Sequence, residues 1–129
     1  MQNKNLNLVK LILRIGISGT FLGHGILAIG INAIWFPFFT AVGIGIEDAK
    51  TLMPIIGVLD LFIAFMVLIY PIKIVLIWAI FWTFTTALMR PLSGTDIWPF
   101  IERFSFWAAP LALLVLNGIP KKLKDLLKV

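Results

Sequence analysis

Leu13 to Gly25, LRIGISGTFLGHG, places an arginine and a histidine inside a stretch that is otherwise apolar enough to cross a membrane. A charged side chain at bilayer depth costs on the order of 2.5 to 3.5 kcal/mol on insertion scales, so each such group needs a partner or a role. The fold follows from asking what surrounds this stretch. Of the 129 residues, 60% are hydrophobic, and mean hydropathy is +1.04, well above the apolar share of a soluble domain. A span needs about 20 mostly apolar residues. Four segments qualify: 8–30, 52–70, 72–89 and 100–118. The expected fold is therefore all-α, an integral membrane four-helix bundle of antiparallel up-down spans in a single domain.

The net charge of +5 invites a nucleic-acid reading, which the position of the charges removes. Lys4, Lys10, Lys73, Lys121, Lys122, Lys124 and Lys128 fall at the N-terminus, the second loop and the tail, which share one side in a four-span topology. The other side mixes Lys50, Arg90 and Arg103 with Glu47, Asp48, Asp96 and Glu102. By the positive-inside rule both termini are expected in the cytoplasm. The absence of cysteine excludes disulfides and thiolate chemistry. The first apolar run is too long for a signal peptide, carries Arg14 and lacks a small-x-small cleavage site, so it is expected to remain as the first span.

At about 100° per residue, the first span divides into two faces. Leu11, Ile15, Leu22, Ile26 and Ile29 form a lipid-facing stripe, while Arg14, Ser18, Thr20 and His24 lie opposite. Gly16, Gly19 and Gly23 flank the polar face and predict a groove in which a neighbouring helix packs closely, with Gly57 on the small face of the second span. Between these spans, residues 31–46 are broken by Asn32, Pro37, Gly43 and Gly45 and are rich in Trp35, Phe36, Phe38 and Phe39. This segment reads as re-entrant or interface-lying, an aromatic belt at headgroup depth, with a lid over a lipophilic ligand as the alternative. Asp48 is the expected N-cap of the second span, and Thr95 or Asp96 that of the fourth. Pro54 is expected near enough to a helix start to disturb little, and Pro110 to lie inside the fourth helix and kink it. The tail, residues 120–129, reads as an amphipathic helix on the anionic inner surface.

Two groupings of residues carry candidate chemistry. Arg14 and Asp60 are expected within about 6 Å of one another in depth, which predicts a buried ion pair, either a staple between helices or a site for a headgroup or proton relay. On the outer side His24, Arg90, Asp96, Glu102 and Arg103 gather near Trp82, Trp98 and Trp107. There Arg90 with Glu102 is expected to fasten the third loop. His24 suits a hydrogen bond inside the bundle, contact with a ligand, or metal ligation, the last disfavoured because no second histidine or cysteine is present. No phosphate loop, dinucleotide fingerprint, H-E-x-x-H or serine elbow occurs. Catalytic and metal-ligating residues are accordingly assigned to none.

LRIGISGTFLGHG resembles the opening of the DoxX-like membrane proteins, and the acidic residue in IIGVLDLFIAF resembles the second span of that family. The residues that match are Arg14, His24, Gly25 and Asp60; Leu27 and Ala28 stand where members often place a basic residue, and Asp60 replaces the more usual glutamate. The resemblance implies a four-helix protein of bacterial inner membranes linked to quinone-coupled redox complexes. The expected function is that of an accessory subunit contacting lipid or quinone, in company with other membrane subunits or copies of itself. A quinone-linked redox or lipophile-binding protein acting alone, and a proton or solute permeation unit, are the alternatives.

Overall fold

The computed structural model describes residues 2–129, and among them no strand occurs. The four expected spans are present as helices long and apolar enough to cross a membrane, making this a multi-pass helical bundle. They are α1 (Gln2–Ile29), α3 (Ile46–Ile69), α4 (Lys73–Leu92), and a fourth span built from α5 (Trp98–Ile101) and α6 (Phe104–Asn117). A short 3-10 turn, Ala33–Trp35, and α2 (Phe36–Thr40) occupy the connection after α1.

α1 and α3 pack along most of their shared length, and three contacts fix their antiparallel register. Gly25 faces Gly57, Ser18 Oγ donates to the carbonyl of Ala64 at 2.8 Å, and Arg14 reaches the carbonyls of Val67, Leu68 and Ile69. α6 packs against both α4 and α1, whereas α3 and α4, though joined by a short turn at Tyr70 to Ile72, touch much less. Of the consecutive spans, the first packs closely on the second and the third on the fourth, while α3 and α4 do not, contrary to what the short turn between them implies. The core of Ile17, Phe21, Ile63, Val67, Leu76, Ala79 and Leu113 fills the end of the bundle nearest that turn. At the other end α3 and α4 diverge.

The apolar stripe of α1 expected to meet lipid is exposed, as are Val58, Phe62 and Phe65 of α3 and Phe81 and Phe84 of α4. Such a surface suits hydrocarbon, where packing rather than hydrophobic burial holds helices together.

The glycines correct the expected packing face. A Cβ on Gly16, Gly19 or Gly23 would meet nothing within 4 Å. On Gly57 it would come within 2.6 Å of the Ile29 side chain and 2.7 Å of the Gly25 carbonyl. On Gly25 it would lie 2.8 Å from the Gly57 carbonyl. The helices cross at Gly25 and Gly57, and the other three glycines of the groove remain open on the surface. The inward face of α1 is Ser18, Phe21, Gly25 and Ala28, a three-four-three spacing that turns away from the glycine stripe.

Several expected ends also differ. α3 begins at Ile46 with Gly45 as N-cap, so Asp48 and Glu47 sit in the first turn, where their charge favours the positive end of the helix dipole. Pro54 consequently lies well inside the helix and removes the bond to the Lys50 carbonyl. The fourth span, expected to be continuous, breaks at Glu102 and Arg103, and neither Thr95 nor Asp96 caps it; the Thr95 hydroxyl donates instead to the Arg90 carbonyl at 2.7 Å. Pro110 stands inside α6, which continues through it to Asn117.

The tail forms a 3-10 turn, Leu123–Leu127, in place of the expected amphipathic helix. Asp125 organises it by accepting the backbone N–H groups of Lys121 and Lys122 and the Lys128 ammonium, the last at 2.9 Å. These bonds hold its carboxyl below the usual carboxylate range, the contact with Lys128 contributing most. The Lys73 N–H closes the turn against α4 through the Lys128 carbonyl at 3.0 Å. Ten residues are too few for an isolated α-helix to be stable, so local side-chain bonding decides the shape.

Candidate functional site

The divergence of α3 and α4 leaves a cavity of about 330 Å³, inside the size range of small-molecule sites. Met53, Ile56 and Asp60 of α3 form one wall and Trp82, Thr86 and Arg90 of α4 the facing one. Trp82, Thr86 and Arg90 recur every four residues, which aligns them on one helix face. His24 of α1 and Arg103 and Phe106 near the start of the fourth span close a third side. Trp35, Phe38 and Phe39 come from the connection after α1. That connection therefore folds across the cavity, the lid arrangement, and its aromatic rings serve as walls.

The chain reaches that position by reversing after α1 at Ile31, whose φ of 52° is unusual for a β-branched residue. The Asn32 side chain then accepts the Ile34 N–H at 3.3 Å and starts the 3-10 turn.

Inside the cavity the polar groups are few and incompletely satisfied. Asp60 is 2% exposed, and its Oδ1 is buried without a hydrogen-bond partner. The Trp82 indole approaches the carboxyl, but the two do not close a hydrogen bond, and Trp82 Nε1 is likewise unpartnered. Arg90 has its guanidinium 5.1 Å from the centre of the Phe38 ring, a cation–π contact, while its Nε is buried with no partner. Native interiors leave few such atoms, and each needs an explanation. Here three of them border one cavity.

The expected ion pair between Arg14 and Asp60 does not form. In the observed register Arg14 lies level with Leu68, eight residues along α3 from Asp60, an axial offset of about 12 Å. Its guanidinium donates to the last carbonyls of α3, to Val67 at 3.3 Å and Ile69 at 3.1 Å as well as to Leu68. Those carbonyls have no partner within their own helix, so the arginine serves as a cap and lies away from the cavity. Glu102 also departs from expectation: it pairs with Arg103, not Arg90, and is exposed. Arg103 additionally donates to the Pro99 carbonyl at 2.6 Å. Asp96 is exposed as well.

His24 makes no hydrogen bond among the described residues. Its ring packs at 5.4 Å, tilted, on Trp35 and at 6.5 Å, edge-on, against Phe106. It thereby ties α1 to the lid and the fourth span while lining the cavity. No three His, Asp or Glu side chains among the described residues are grouped so that they could hold a metal ion.

Of the five candidate ligand residues, the structure brings His24, Asp60 and Arg90 together and separates Arg14 and Glu102. Trp82 was legible only as a nearby aromatic; the four-residue spacing to Thr86 and Arg90 is the signal that marks it as a polar wall. Compared with protein-family profiles, curated proteins and solved structures, the chain matches none of them.

Proposed function

We propose that this chain is a bacterial inner-membrane protein with cytoplasmic termini that binds a lipophilic, oxygen-bearing ring compound of the quinone class between α3 and α4. The observation that carries the reading is the convergence of Asp60 Oδ1, Trp82 Nε1 and Arg90 Nε, all buried and unpartnered, on one aromatic-walled cavity. A flat ring suits the walls of Trp35, Phe38 and Trp82, and its oxygens suit the polar atoms. A purely apolar lipid tail would leave all three unsatisfied, at about 1–3 kcal/mol each. The DoxX-like features of the first and second spans accord with such a ligand.

The accessory-subunit reading has its own support in Gly16, Gly19 and Gly23, a small-residue stripe with open space beside it of the kind that receives a partner helix. Lipid contact around the remaining surface and association with another membrane subunit or a second copy are compatible with ligand binding. Purification in mild detergent, followed by native mass spectrometry and solvent extraction, tests both. A ring lipophile retained near one per chain and lost in Arg90→Leu is the expected result. A protein recovered without any lipophile, and unable to take up decylubiquinone or decylubiquinol when supplied, would sink the binding reading. Stoichiometric partner chains would support the subunit role.

A further inference from the structure

Arg90 brings to the cavity a permanent charge without a counterion. A guanidinium stays protonated inside proteins. Ion pairs among the described residues join Lys50 to Glu47, Arg103 to Glu102 and Lys128 to Asp125; Arg90 belongs to none of them, and its Nε is buried with no acceptor. The ring face of Phe38, 5.1 Å from the guanidinium carbon, offsets part of that charge and lays α2 over it. Neighbouring groups add to the charge. Arg103 lines the same cavity, near enough for the two guanidiniums to act on each other and on His24 of α1. Glu102, the carboxylate that acts on Arg90, is exposed and already paired with Arg103. Asp60 stands with Trp82, eight residues of α4 from Arg90 and so about 12 Å away along the axis. The corresponding step along α3 from Asp60 reaches Leu52 and Met53, which line the cavity without bringing any charge.

From this arrangement we infer that the cavity takes its ring ligand as an anion, with an ionised acidic oxygen held against Arg90 beside Arg103. Within the quinone class the acids are the hydroxyquinones, whose ring hydroxyl is a vinylogous carboxylic acid. The inference rests on the quinone-class reading above and adds the charge that the site recognises. Discrimination arises at the Arg90 end. A hydrogen bond from a guanidinium to an anionic oxygen is roughly twice as strong as a neutral one, and a covered cation with no counterion is a cost that a neutral ligand leaves in place. The far end does not sort ligands by charge, since a carboxylic acid both donates and accepts.

The test is equilibrium binding to the full-length protein in phosphatidylcholine nanodiscs at neutral pH, by titration calorimetry with empty discs as the blank. The ligands are a decyl-tailed naphthoquinone with a hydroxyl on its quinone ring, the methyl ether of the same compound, and oleate. The hydroxyquinone is expected to bind about tenfold more tightly than its ether, or better. Arg90→Gln, which keeps donors and loses the charge, is expected to bring the two within about threefold, and Arg90→Lys to restore part of the preference. Equal or tighter binding of the ether by the unaltered protein would overturn the anion assignment and leave the cavity reading intact. So would an undiminished preference in a helical, monodisperse Arg90→Gln protein. Oleate bound as tightly as the hydroxyquinone, and weakened equally by Arg90→Gln, would uphold the anion site and overturn the ring reading. Absence of specific binding by all three would overturn both.

Discussion

Arg14 and Arg90 belong to the same bundle, yet their surroundings differ. Near the turn between α3 and α4, Arg14 satisfies carbonyls that the end of α3 leaves open, beside a closely packed apolar core. In the other half, Arg90 borders a cavity with its Nε unpartnered. A buried polar group that is fully bonded adds rigidity; one left unbonded is a cost unless something else completes it. The contrast teaches that depth in the membrane alone does not mark a binding residue. The state of its hydrogen bonds does.

The largest effect should come at the crossing that holds the closed part together. Gly57→Ala would drive a methyl into Ile29 and the Gly25 backbone, and a loss of about 3 kcal/mol is expected in detergent unfolding. Gly19→Ala, where space is open, should be neutral or stabilise by up to about 1 kcal/mol through helix propensity. Equal destabilisation by both would dismiss the assigned crossing.

Next come the arginines themselves. Arg14→Leu is expected to lose about 2 kcal/mol of stability by freeing the carbonyls at the end of α3, with ligand retention unchanged. Arg90→Leu should behave in the opposite way, keeping its unfolding temperature while its affinity for the lipophile falls about tenfold or more. Thermal unfolding and ligand extraction on the same two preparations read this reversal, and the comparison fails if the two variants respond alike.

A smaller change is expected at the root of the lid. Ile31 holds a positive φ that glycine adopts without steric cost, so Ile31→Gly should raise stability by about 0.5 kcal/mol as measured by denaturant unfolding.

The smallest effect concerns pH. Because the Asp125 carboxyl is held below its ordinary value by Lys128 and the Lys121 and Lys122 amides, its contribution is full above the unfolded carboxylate value of about 3.9. It is lost as pH falls through the lower folded value. Amide exchange at Lys121 and Lys122 should accelerate in that acidic window, and Asp125→Ala should show the faster exchange already at pH 7. An acid-insensitive tail would argue that the Lys73 to Lys128 backbone bond holds it alone.

Much of the architecture was legible because membrane insertion leaves a strong record in one dimension. Long apolar runs mark the helices, and the broken aromatic stretch from Ile31 to Ile46 marks the interruption. The site was legible in part: His24, Asp60 and Arg90 stood out as polar groups at depth. Arg14 stood out equally and belongs elsewhere, since its nearest acceptors are backbone carbonyls, which every sequence contains and none advertises. Gly25 is hard to single out as a packing residue in the sequence because three other glycines form a more conspicuous stripe. Glu102 and Arg90 flank the same loop and so read as partners in the sequence, whereas the break between α5 and α6 lets Glu102 pair with its neighbour Arg103.

What the sequence by itself determined is the number of helices, their apolar outer surface and the presence of a few polar groups that a bilayer would not tolerate without reason. These follow from composition and period, which act residue by residue. Only the tertiary structure decided which helices touch, where α1 and α3 cross, and which polar atoms remain without partners. Those outcomes depend on register and rotation between helices, where an offset of eight residues separates an ion pair from a helix cap and leaves Asp60 facing a cavity.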